Sequence, residues 1–228
     1  LYPIAIVDQN KMYIFNPKNN KYELAKIINK LEWLPEKVLA AFPLKENNYQ
    51  ITCVVYSGAL KDLEGLVLIL HEYVHCYQYN TCEQKLKQTL QIAREAMKKK
   101  QYDWEINHPF PYNNPEFEKT YENFLKALKE QNTIKVKELR KSLKKILSLK
   151  DYEYMIWQEW KEGYARYIEN KIRRTVGLKE NHTGAQKPYT RTVFYEGGAL
   201  LIQHLVKQDP SLHHNIEKLF YKIKETQL

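Results

Sequence analysis

The sequence predicts an α+β fold that is mostly α. Signals for β-strands are confined to the first sixty or so residues, and helical periodicity covers nearly everything after Asp62. A length of 228 residues with 43% hydrophobic content suffices to bury one sizeable core, so a single domain over residues 1–228 is expected. Ile4-Ala5-Ile6-Val7 and Met12-Tyr13-Ile14-Phe15, flanking Asp8-Gln9-Asn10-Lys11, read as a hairpin. Gln50 to Tyr56 reads as a third strand. Between them, Glu23 to Lys30 and Pro35 to Phe42 have helical spacing, and Pro35 suits a helix start. The expectation is a small antiparallel or mixed sheet in about residues 1–60 and a helical part over about residues 61–228.

The first helix of that second part carries the chemistry. Leu63, Leu66, Val67, Leu70 and Val74 recur at helical spacing and predict one apolar, buried face. Within it stands His71-Glu72-Tyr73-Val74-His75. Two histidines four positions apart lie on one face of a helix and can share a tetrahedral metal, and Glu72 beside them can take a proton from a water that zinc acidifies. Histidines and a carboxylate left unpaired in a buried helix would cost several kcal/mol, so a metal or a dense hydrogen-bond network is expected around them. Zinc needs at least three protein donors. A metzincin-type third histidine is excluded, because Gln78 and Thr81 occupy the positions where its Gly and His would stand.

The excursion that follows reads as further helices. Phe117, Tyr121, Phe124, Leu125 and Leu128 form a stripe behind an Asn114-Pro115 start, and Val136, Leu139, Leu143, Ile146 and Leu147 form another. Asn107 to Pro115 and Gly177 to Pro188 read as loops. Glu159, Glu162, Arg166 and Glu169 then make a helical stripe that an ordinary solvated face would also show. Gly163 lies inside it, and a helical glycine costs about 1 kcal/mol relative to alanine, so it marks a close backbone approach. The His-bearing helix is the expected neighbour. Gly197 and Gly198, in a later apolar helix running through Leu205, are read as packing contacts too.

Trp160-Lys161-Glu162-Gly163-Tyr164-Ala165-Arg166-Tyr167-Ile168-Glu169 resembles a known pattern. Together with His71-Glu72-x-x-His75 it is similar to the gluzincin zinc metallopeptidases of the peptidase MA-like superfamily. In the aminopeptidases among them, a Glu-Gly-Phe-Ala segment followed by Tyr and Glu completes the metal site. The resemblance implies a zincin-like fold with the sheet packed on the His-bearing helix. It implies Zn2+ held by His71, His75 and Glu162, with Glu72 as general base and a peptide or protein as substrate. It also implies that Gln50 to Tyr56 is a sheet edge able to pair with extended substrate. Tyr195-Glu196-Gly197-Gly198 is similar to the helix that follows the glutamate helix in small zincin-like proteins, which makes Tyr195 a candidate donor to the oxyanion, with Tyr189 its rival. His182, in the loop before that helix, is a candidate substrate contact.

The pattern also departs from the family. Glu162 follows His75 by about 87 residues, where those enzymes bring the glutamate in within about two dozen. Lys161 replaces the Asn that precedes the aminopeptidase glutamate, and Ser57-Gly58-Ala59 does not match the amine-anchoring motif, so aminopeptidase activity does not follow. Should Glu162 not be the third ligand, Glu159 is next.

A formal net charge of +9 raises two other readings: a basic helical binding module, and an inactive gluzincin-like scaffold. Lys98 to Lys100 and the cluster from Lys135 to Lys145 concentrate the charge. Glu130 and Glu138 interrupt the run and no aromatic-interleaved pattern follows it, so nucleic acid is not the expected partner. Intact Glu72 argues against the scaffold. No apolar run approaches the roughly 18 residues a transmembrane helix requires. The chain opens on Leu1 rather than methionine, which leaves room for a leader, and a secreted or extracytoplasmic location is favoured. Cys53, Cys76 and Cys82 have no metal-binding spacing.

Overall fold

The computed structural model describes residues 1–226. It is α+β and mostly helical, with an N-terminal five-stranded mixed sheet followed by helices. The chain forms two compact units, Leu1–Thr81 with Ile168–Glu180, and Cys82–Tyr167 with Asn181–Leu228.

In the first unit the strands β1 (Ile4–Asp8), β2 (Lys11–Lys18), β3 (Lys21–Asn29), β4 (Leu39–Leu44) and β5 (Gln50–Tyr56) assemble in the order β3-β2-β1-β5-β4. The predicted hairpin is present, with Ile4 opposite Phe15 and Asp8 opposite Lys11. Gln50–Tyr56 is the predicted third strand, and it pairs parallel with β1.

Three expectations for this region fail. Glu23 to Lys30 is strand, not helix: Asn19 and Asn20 both adopt positive φ, the geometry of a two-residue hairpin turn, and fold Lys21–Asn29 back onto β2. Pro35 to Phe42 is not a helix either, because Leu39–Leu44 pairs antiparallel with β5; Pro43, which lacks a donor, is tolerated on that edge strand. Nor is Gln50–Tyr56 a sheet edge. It lies between β1 and β4, with both faces covered, and the edges are β3 and β4.

One sheet face packs Ala5, Val7, Met12, Ile14 and Val54 against Leu34 and Val38 of the segment between β3 and β4. The other packs Ile4, Cys53 and Val55 against Ile69 and Cys76 of helix α1 (Leu63–Gln78). Asp62 caps α1, its side chain accepting from the Gly65 amide at 2.7 Å. The buried face of α1 is not the one its leucines suggest. Leu63, Leu66 and Leu70 are each more than two-fifths exposed, whereas Val67, Ile69, His71, His75, Cys76 and Gln78 are buried. Ile69 and Cys76 interlock with β5, and that packing sets the rotation of the helix, so the leucine stripe faces outward.

After α1 the chain passes through a single π-helical turn, Tyr79–Glu83, and the short helix α2 (Gln84–Lys87). The second unit then contains α3 (Gln91–Lys98), α4 (Trp104–Asn107), α5 (Pro115–Lys129) and α6 (Thr133–Ile146). It also contains most of α7 (Leu149–Thr175), α8 (Val193–Gln208) and α9 (Ile216–Glu225). Asn114 caps α5 as its sequence predicts, accepting from the Glu116 and Phe117 amides, and Phe117, Tyr121, Phe124, Leu125 and Leu128 are its buried face. Val136, Leu139 and Leu143 are buried on α6, as their periodicity predicts.

The glycine expectation holds in kind and changes in partner. A Cβ on Gly163 would come within 2.5 Å of the Gly198 Cα, and one on Gly198 within 2.3 Å of the Glu159 carbonyl oxygen. Gly163 therefore serves a close crossing of α7 with α8.

Candidate metal centre

In the first unit His71, Glu72 and His75 each offer one ligand atom, and these atoms lie within 4.8 Å of one another. The helical spacing puts the two imidazoles side by side, with ring centroids 5.0 Å apart and planes inclined at 76°. Both histidines are buried, and Glu72 is partly exposed. Glu72 is close enough to the sheet for its charge to act on Cys53, whose thiol is pushed well above its usual pKa, first by burial and then by that carboxylate. Cys53, Cys76 and Cys82 are buried, and none is in a disulfide.

Each imidazole is held by its Nδ1. That of His71 lies 3.0 Å from Oε2 of Glu169, and that of His75 lies 2.9 Å from Oε1 of Gln78. Both partners are hydrogen-bond acceptors, so each Nδ1 carries the proton and each Nε2 the lone pair. Glu169 is itself anchored, accepting from Nε of Arg173 at 2.8 Å, and Arg173 donates from Nη2 to Glu64 at 3.0 Å and from Nη1 to the Lys179 carbonyl at 3.2 Å. A buried carboxylate between an arginine and a histidine fixes the ring and raises its basicity, which is the arrangement that accompanies metal-ligating histidines. The π-helical turn that begins four residues after His75 is a second local feature that often marks functional sites.

The other predicted residues lie in the second unit. Glu162 is buried, and its Oε1 lies 3.8 Å from Nη1 of Arg191. Tyr195 sits between two guanidinium groups, with Arg166 5.5 Å and Arg191 5.6 Å from its ring centre. Arg166 is held by the carbonyl oxygens of Asn181 and Thr183 at 2.9 and 3.3 Å. Tyr189 has a different setting: it is buried, packs on Tyr121 with Lys187 over its ring, and its pKa is pushed up to about 12 by burial and by Glu122 and Glu118. His182 is about half exposed, with Nδ1 3.1 Å from Oε1 of Glu196.

The stripe Glu159, Glu162, Arg166, Glu169 is not a solvated face, since all four residues are buried. Glu159 is committed elsewhere: its Oε1 accepts from the Tyr121 hydroxyl at 2.9 Å and from Arg140 Nη1 at 2.8 Å, and Glu159, Tyr121 and Arg140 are all fully buried. It is no longer a credible alternative ligand. Lys161, at the position where the aminopeptidases carry Asn, is bound to Glu83 at 3.1 Å and Glu105 at 2.9 Å. Sequence reasoning missed the roles of Glu169 and Gln78, although both signals were present. Glu169 is two helical turns beyond Glu162 on the same face of α7, and Gln78 is three residues beyond His75.

Comparison with known proteins found no family model, no curated protein and no solved structure that matches this chain.

Proposed function

We propose that this chain is a zinc-dependent peptide hydrolase of zincin-like plan, with His71, His75 and Glu162 as metal ligands and Glu72 as general base. The observation that carries the reading is the paired anchoring of the two histidines. Each Nδ1–H is held by an acceptor, one of them the buried Glu169 carboxylate, which leaves both lone pairs on Nε2 of rings set side by side along one helix face. Two neutral imidazoles with fixed tautomers are donors that suit zinc. Glu162 as third donor rests on the resemblance and on its sharing a face of α7 with Glu169. Zinc, when bound, supplies Lewis acidity that polarises a carbonyl and makes water nucleophilic near neutral pH.

The chain's own residues do the rest. Glu72, beside the histidines and in part open to solvent, takes the proton from the attacking water and passes it to the leaving amine. Tyr195, pinned between Arg166 and Arg191, donates to the carbonyl oxygen as negative charge builds there. Its setting favours it over Tyr189, whose surroundings are those of a packing residue.

One kinetic series tests these roles against a peptide library. Glu72→Gln is expected to keep the metal and lose at least about a hundredfold in turnover. Tyr195→Phe should lower kcat by about tenfold or more with KM little changed, and Tyr189→Phe should leave kcat alone. Cleavage that is indifferent to Glu72→Gln would end the hydrolase reading.

A further inference from the structure

Arg191 stands apart from the other arginines of the second unit and of the chain. Arg94, Arg140, Arg166, Arg173 and Arg174 each donate a hydrogen bond of 2.8 to 2.9 Å to a protein oxygen. Arg191 donates none among the described residues. Its nearest acid is Glu162, at 3.8 Å, beyond hydrogen-bond reach, and its guanidinium lies over the face of Tyr195. Its side chain is about one-third exposed, so the group is partly desolvated and still open to solvent.

A guanidinium has five N–H donors in a planar fork, and those that Arg191 does not spend on the protein are open to a ligand as well as to water. Its neighbours prepare it for an anion. The Tyr195 ring flanks the guanidinium, its centre 5.6 Å away, and the Glu162 carboxylate, at 3.8 Å, pairs with its charge without closing the fork.

We infer that Arg191 is a specificity-determining residue that binds a carboxylate of the substrate, first of all the free C-terminal carboxylate of a peptide. The planar fork matches a carboxylate with two parallel hydrogen bonds, which a lysine in its place would not reproduce. Interpreting that ligand as part of a peptide rests on the hydrolase reading. The carboxylate itself follows from the geometry around Arg191.

The test is calorimetric and uses the full chain carrying Glu72→Gln, so that turnover does not intervene. A short peptide acid, its C-terminal amide, and a pair with an internal Glu or Gln are titrated in turn, and then titrated again with Arg191→Gln or Arg191→Lys added. The acid should bind at least about tenfold more tightly than the amide, and Arg191→Gln should abolish that difference while the melting temperature stays within a few degrees. Arg191→Lys should recover part of it. If the internal Glu confers the Arg191-dependent gain and the terminus does not, the carboxylate chemistry stands and its source is a side chain. Equal binding of acid and amide, and of Glu and Gln peptides, overturns the inference, as does a preference that survives Arg191→Gln. Cleavage by the unsubstituted chain is scored separately. Glu72-dependent cleavage without carboxylate preference leaves the hydrolase reading intact, and carboxylate preference without cleavage removes the hydrolase reading and keeps the binding site.

Discussion

Glu159 and Glu169 lie on one helix, about three turns apart, and both are buried carboxylates that hold an arginine. What differs is the other partner. Glu159 accepts from a tyrosine and from Arg140, inside a cluster of aromatic rings in which Arg140 also lies over Phe124 and Tyr152. Glu169 accepts from Arg173 and faces the Nδ1 of His71, so its charge acts on a ring whose other nitrogen carries a lone pair. The first arrangement ends in the hydrophobic core and does structural work. The second orients the His71 ring. Burial and an arginine partner are thus no guide to function until the remaining acceptor site is traced to its end.

The largest expected effect separates the two most sharply. Glu159→Ala strands the fully buried Arg140 and should cost about 3–5 kcal/mol in urea denaturation, with zinc affinity of the folded protein unchanged. Glu169→Gln should do the reverse. It keeps a side chain of the same shape, and zinc affinity measured by competition with a chelator should fall by about ten- to a hundredfold. An unchanged affinity would make Glu169 a second Glu159.

A smaller effect distinguishes both from a third, partly buried acid. Glu105 is opposed by burial but held down to about 2 by Lys161 and Lys87, and it accepts from Trp157 Nε1 at 2.8 Å. A depressed carboxyl pKa stabilises the fold above the unfolded value of about 4.3, and that contribution is lost as pH falls towards 2. Tryptophan fluorescence should accordingly change between about pH 4.3 and 2, and Glu105→Gln should remove that pH dependence.

Much of this was legible in the sequence where a single period dominates. The hairpin from Ile4 to Phe15 and the α5 stripe from Phe117 to Leu128 were read from alternation and 3.6-residue spacing, and both are present. Glu23 to Lys30 reads as a helix because Leu24, Ile27 and Ile28 fit a helical face as well as a strand. The decisive signal was Asn19-Asn20, a pair suited to a two-residue turn. The continuous apolar run from Ile51 to Tyr56 was a sign that both faces of β5 are covered, which contradicts an edge position. The leucines of α1 misled because exposed apolar residues are common, and only the interlocking of Ile69 and Cys76 with β5 fixes the rotation of that helix. At the site, the histidines and Glu72 were legible from four-residue spacing. The anchors Glu169 and Gln78 needed the fold to show which nitrogen they hold. Arg191 had no periodic signal, and only the absence of a hydrogen bond reveals it.

The proposed hydrolase depends on a catalytic zinc held by His71 and His75. Elemental analysis of the purified full chain after exposure to zinc and removal of excess tests it most directly. About one zinc per chain is expected, sharply reduced in both His75→Ala and Glu162→Ala, since either change leaves fewer than three protein donors. Zinc-free wild-type protein, or zinc that persists undiminished in His75→Ala, would contradict it.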